Sequence, residues 1–250
     1  MKTTLVLFFT GFLLFFSGNG RAAADDHLNH SIFADLLGKY VQDGVVDYQG
    51  FQDEEMRLDT YLQLLEQTDS STLTRNERFA FYINAYNAWT IKLILSKYPK
   101  IKSIKELGTL FQGPWKKKIC RIDKEIFSLD HLEHKILRPL FKDPRVHFAL
   151  NCASKGCPVL RAEPYIGSEL ETQLASSARI FINDPTKNFF QGTTLYLSSI
   201  FKWFPEDFNH YVFGFVKQYA SGKLKEELIG KAGNKVQIEY LEYDWSLNGK

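Results

Sequence analysis

Between Thr74 and Pro99 the chain carries a run, RFAFYINAYNAWTIKLILSKY, that is apolar nearly all the way round a helix. Thr74 and Glu77 match the capping box that opens a helix, and Pro99 closes the run after about six turns. A helix without a polar face belongs in the interior, so the remaining elements must be arranged around it. Asn84 and Asn87 lie three apart on one side of it and carry two amides into that interior. An unpaired buried amide costs about 1–3 kcal/mol, so both need partners. Either they bond a neighbouring backbone and fix its register, or they orient a catalytic group and line a pocket.

The flanking sequence supplies elements to pack on this helix. Residues 30–40 place Ile32, Phe33, Leu36 and Leu37 at helical spacing before Asp43-Gly44 breaks the pattern, and Val45, Val46 and Tyr48 suit a short edge strand. Residues 53–67 predict a helix whose buried stripe is Leu58, Tyr61, Leu62 and Leu65. Residues 100–124 read as irregular and basic, with Lys116, Lys117 and Lys118 on a solvated face. Residues 128–137 read as a helix closed by Pro139, in which the neighbours Glu133 and His134 point about 100 degrees apart and are not expected to face one site. Further along, Ser168 and Glu171 predict a capping box for a helix to residue 183, and residues 189–197 a hairpin around Gln191-Gly192. Residues 206–219 and 222–230 read as helices, and Val236, Ile238 and Tyr240 alternate in a closing strand.

The chemistry concentrates in residues 143–160, DPRVHFALNCASKGCPVL. Val146, Phe148 and Leu150 alternate with His147, Ala149 and Asn151, which predicts a strand over 146–151 that delivers His147, Asn151 and Cys152 to its exit. Cys152 and Cys157 close a six-residue loop, and a disulfide there would contribute about 2 kcal/mol by chain entropy. Cys120 is then the odd thiol. Cys152, Cys157, His147 and His134 amount to four zinc-type ligands, but their spacing matches no familiar zinc pattern, and no metal or other cofactor is expected.

The first 24 residues have Lys2, an apolar run from Leu5 to Phe16 and the small residues Ala22, Ala23 and Ala24, the layout of a secretory signal peptide. The run is short for a membrane span, and the other reading is an uncleaved anchor. Cleavage near Ala24 leaves about 226 residues, read as a single globular domain over 25–250 in the periplasm or outside the cell, with no membrane attachment. Of the 31 basic residues, Lys2 and Arg21 leave with the signal segment, and the rest equal the 29 acidic ones, a balance that speaks against nucleic-acid binding.

Together, FYINAYNAWTIKLI from Phe81, SLDHLEHKILRP, DPRVHFALNCASKGCPVLRAEPY, SSIFKWFPEDF and the terminal YDWSLN resemble the family catalogued as domain of unknown function 547. The resemblance covers most of the mature chain. It implies an exported bacterial protein and, through plant members that stand beside glutaredoxin-like modules, a link to thiol chemistry; it implies no established reaction.

The expected fold is α+β, with the central helix and several further helices on a small, mostly antiparallel sheet containing the His147 strand and the C-terminal strand, in an architecture related to papain and transglutaminase. The first functional reading is a cysteine-dependent hydrolase or acyltransferase acting on a peptide or other acyl-type substrate. Cys152 is its nucleophile, His147 its base and Asn84 the amide that orients the base, with Asn87, Asn151, Ser154, Lys155 and Arg161 as substrate-binding candidates. The arrangement departs from papain, where the cysteine opens the helix upstream of the histidine. The alternative is a non-enzymatic exported binding module, or a thiol-redox protein, with a Cys152–Cys157 disulfide.

Overall fold

The computed structural model describes residues 28–109 and 111–250; the segment read from the sequence as a signal peptide, 1–24, lies outside them. The central helix runs Arg75–Leu95, and its capping box is complete: the Thr74 hydroxyl accepts from the Glu77 N–H, while the Glu77 carboxylate accepts from the Thr74 N–H. Every residue from Phe79 to Ile91 is buried, as an all-round apolar surface requires. Helices Ser31–Tyr40, Tyr48–Asp53 and Glu55–Gln67 gather on one side, and Leu58, Tyr61, Leu62 and Leu65 form the buried stripe of the last. The protein is α+β.

Among the described residues the strands form two hairpins, Val41–Gln42 with Val45–Val46 and Lys118–Ile122 with Glu125–Ser128, and a three-stranded sheet. In that sheet Thr194–Leu197 pairs antiparallel with Phe189–Gln191 and parallel with Gln237–Tyr240. The hairpin at 118–128 falls in a region the sequence reads as irregular. Its inward residues, Cys120 and Ile122, pack on the core while Lys118 and Arg121 stay exposed, an alternation too short to stand out among lysines.

The principal correction concerns His147. Residues Pro144–Phe148 form a 3₁₀ helix and belong to no sheet. Asp143 caps it through a carboxylate that accepts from the Arg145 N–H at 2.9 Å, and Pro144 sits in its first turn. The alternation of Val146 and Phe148 has another cause: the segment runs between two apolar clusters and buries both sides. Val146, Ala149 and Leu150 join the cluster around the central helix, and Phe148 joins a second one with Phe181, Phe201 and Phe213.

Smaller departures have local causes. Glu171 leaves the expected capping box and bonds Arg145 at 2.5 and 2.8 Å, so helix Leu170–Ile182 starts without a side-chain cap. The helix expected over 206–219 is confined to Val212–Tyr219, because Asn209 and His210 take left-handed backbone conformations ahead of it. Pro139 does not end its helix. It occupies the first turn of Arg138–Phe141, where its missing N–H is not needed.

Candidate functional site

Between the helical turn Leu129–His131 and the helix Arg138–Phe141, residues Leu132–Leu137 adopt π-helical hydrogen bonding. Wider turns reduce the angle between successive side chains, and this is how Glu133 and His134, adjacent in sequence, both reach one pocket. The expectation that they could not share a site assumed regular α-helix. The pocket, of about 170 Å3, is lined by Glu133, His147, Cys152 and Cys157, with aromatic walls from Trp115, Trp203, Phe204, Tyr243 and Trp245.

His147 is the best-held polar group there. Its Nε2 lies 2.6 Å from Asp207 Oδ2, its ring stacks on Phe204 at 4.1 Å, and its Nδ1 stands 4.0 Å from Glu133 Oε1. Arg138 binds the same Asp207 oxygen through Nε at 2.6 Å and Glu206 through Nη2 at 2.6 Å. Asp207 is therefore ionised, its carboxyl held far below the usual range by hydrogen bonds from His147 and Arg138 that outweigh its desolvation. An ionised partner on Nε2 places the imidazole proton there and leaves a lone pair on Nδ1. Burial lowers the pKa of His147 despite Asp207, so the imidazole rests neutral and able to accept a proton. Glu133 shifts the other way. Desolvation raises its pKa to about 7, against the opposing pull of Arg138 and a hydrogen bond with Tyr86.

The two sulfurs are joined as a disulfide, Cys152–Cys157. Cys157 is buried and Cys152 partly exposed. The loop that carries them is bound to the C-terminal segment by Lys155 N–H to Ser246 O and Gly156 N–H to Asp244 O, both 2.8 Å. Gly156 permits this approach, since a Cβ there would stand 3.0 Å from the Asp244 carbonyl oxygen and from the Tyr243 ring. The zipper sets Tyr243 on the disulfide, with its hydroxyl 3.2 Å from each sulfur.

The structure thus brings Cys152 and His147 to one pocket, and the group orienting His147 is Asp207 in place of Asn84. Asn84 is spent elsewhere: its amide gives and takes hydrogen bonds with the peptide of Tyr165, both at 2.8 Å. Asn87 does the same for the disulfide segment, donating to Ala149 O at 3.0 Å and accepting from Asn151 N–H at 2.9 Å. Asn151 turns the chain, donating to Pro158 O at 2.8 Å and accepting from Ala153 N–H at 2.9 Å. Ser154 lies against the sulfurs, its hydroxyl 3.1 Å from Cys152 Sγ. Lys155 is exposed on a neighbouring groove, and Arg161 stands apart, paired with Glu163 over the Tyr165 ring. Cys120 is buried, and desolvation pushes its thiol pKa far up. Among the described residues no group of three or more His, Cys, Asp or Glu is placed to hold a metal ion.

Sequence reasoning missed Glu133, Asp207, Arg138 and Tyr243. Asp207 meets His147 across 60 positions of sequence, and no spacing rule signals such a pair. A family model described as "Protein of unknown function, DUF547" matches residues 70–182, which contain the central helix, Glu133, His147 and the disulfide but end before Asp207 and Tyr243. No curated protein and no solved structure matches the chain.

Proposed function

Taking residues 70–182 as a member of the DUF547 family, we propose that the chain is an exported cysteine-dependent hydrolase or acyltransferase whose nucleophile is the Cys152 thiolate. One observation carries the reading: His147, held by Asp207 at 2.6 Å, lines the pocket that Cys152 also lines. A thiol needs a base to ionise it, and a base needs a partner that fixes its tautomer; these three residues have the types and the burial for that work. The reactive form is the reduced one, because the disulfide must open to release the thiolate. Cys152 then gives its proton to His147 Nδ1, and its sulfur adds to an acyl carbonyl. The leaving group departs with a proton from His147 or from Glu133, which stays protonated up to about pH 7. Water, or a second acceptor, releases the acyl group by the same groups in reverse.

The substrate class follows from the lining. Aromatic walls with no lysine or arginine among the described lining residues suit a neutral, apolar acyl group or a peptide side chain over a carboxylate. Export to the periplasm or beyond rests on the leader-like first 24 residues. The test offers neutral aryl thioesters and peptide esters to the reduced full chain. Turnover is expected, with a loss of about 10²-fold or more in His147→Ala and complete loss in Cys152→Ser. Equal turnover in Cys152→Ser, with the variant folded by circular dichroism, removes the nucleophile and with it the reading.

A further inference from the structure

Cys157 has no place in that acyl chemistry, yet it lines the same pocket and its sulfur has a built environment. Three donors surround Cys157 Sγ: the Cys152 backbone N–H at 2.8 Å, the Tyr243 hydroxyl at 3.2 Å and the Ser154 hydroxyl at 3.5 Å. Cys152 Sγ shares the two hydroxyls, at 3.2 Å from Tyr243 and 3.1 Å from Ser154, but has no backbone donor among these contacts. Exposure divides the pair the same way, since Cys157 is only 3% accessible and Cys152 is the partly exposed residue. A buried sulfur that must carry negative charge needs hydrogen bonds to the charged form. The other buried thiol, Cys120, lies in the strand Lys118–Ile122 and is not among the residues that line this pocket.

We infer that the Cys152–Cys157 pair is a thiol–disulfide exchange centre of fixed polarity, in which an incoming cysteine thiolate attacks Cys152 and Cys157 departs. The inference rests on the reading of Cys152 as the reactive sulfur. In the first step the thiolate forms a bond to Cys152 Sγ, the Cys152–Cys157 bond breaks, and its electron pair goes to Cys157 Sγ under the three donors. In the second step another thiolate attacks the sulfur that the first one contributed. Cys152 is released as a thiolate, both cysteines end reduced after taking up two protons, and the incoming thiols end oxidised as one disulfide. The partner is the cysteine thiol of a neutral or apolar peptide, because among the described residues that line the pocket there is no lysine or arginine to bind an anionic thiol such as glutathione. The same exchange would generate the free Cys152 on which acyl transfer depends.

The test treats the oxidised full chain with a limiting amount of N-acetylcysteinamide, quenches in acid, alkylates and maps the peptides. The expected product carries the mixed disulfide on Cys152 and the alkyl label on Cys157. Glutathione is expected to react more slowly than this neutral thiol, and Tyr243→Phe to slow the reaction about tenfold, the effect of losing one hydrogen bond to a developing charge. A mixed disulfide on Cys157, an equal distribution, or alkylation of both cysteines before any thiol is added overturns the inference. No acyl substrate enters this experiment. If thioester turnover fails but the mixed disulfide forms on Cys152, only the hydrolase reading falls. If turnover depends on Cys152 but the mixed disulfide forms on Cys157, only the polarity falls.

Discussion

Glu133 is the residue whose ionisation departs most usefully from the ordinary, and its effect is measurable without knowing the substrate. Its carboxyl titrates near 4.5 in the unfolded chain and at about 7 in the folded one, raised first by desolvation. A raised folded value means that the native state holds the proton more tightly. The contribution to stability is complete below about pH 4.5 and is lost as pH rises through about 7, in total on the order of 3 kcal/mol. Glu133→Gln cannot titrate, so urea unfolding of the variant should lack this fall between pH 4.5 and 7.5. Parallel pH dependence in both proteins would mean that Glu133 is ionised in the native state. At this scale the sequence was half legible. His147 and Cys152 stand out because a histidine and two cysteines in an apolar run are conspicuous, and both line one pocket, whereas Glu133 was not expected to share a site with His134 and does so through the π-turns.

At the scale of elements, the two central asparagines illustrate what periodicity can and cannot reveal. Their placement inside a buried helix was legible and required partners; which partners depended on loops that fold against the helix from far away. Asn84→Ala leaves the Tyr165 peptide without its bonds, and Asn87→Ala does the same to Ala149 and Asn151. Each should lower stability by about 2–4 kcal/mol in chemical denaturation. The two should separate in reactivity: alkylation of reduced Cys152 is expected to change in Asn87→Ala, whose clamp holds the cysteine segment, and to stay unchanged in Asn84→Ala. The adjoining turn offers a gain. Ala153 has φ of +61°, where a Cβ is disfavoured, so Ala153→Gly should stabilise the reduced protein by up to about 1 kcal/mol in the same assay. The His147 segment was misread as a strand because burial on two sides mimics the alternation of one-sided burial. Asp143-Pro144, a helix-opening pair, was the signal for the actual conformation.

At the scale of the whole molecule, the site exists because residues 146–150 are held between two apolar clusters, one around the central helix and one formed by residues 148 and 178–228. Phe148 is the tie to the second cluster, with ring contacts to Phe181 at 5.1 Å and Phe201 at 5.7 Å. Phe148→Ala is expected to cost about 3–5 kcal/mol and, by loosening the adjacent His147, to slow Cys152 chemistry more than a comparable loss remote from the tie. The sequence made the α+β class legible because each stripe belongs to one element; the site depends on contacts between elements, as Asp207 and Tyr243 show. The claim that these distant parts converge to activate Cys152 is tested most directly by the rate of iodoacetamide labelling of Cys152 in the reduced protein, followed from pH 5 to 9. Labelling is expected to run about tenfold or more faster than a model thiol near neutral pH, with that advantage lost in His147→Ala and reduced in Asp207→Asn. A Cys152 that labels no faster than the model thiol, with a profile the two substitutions leave unmoved, would contradict the account.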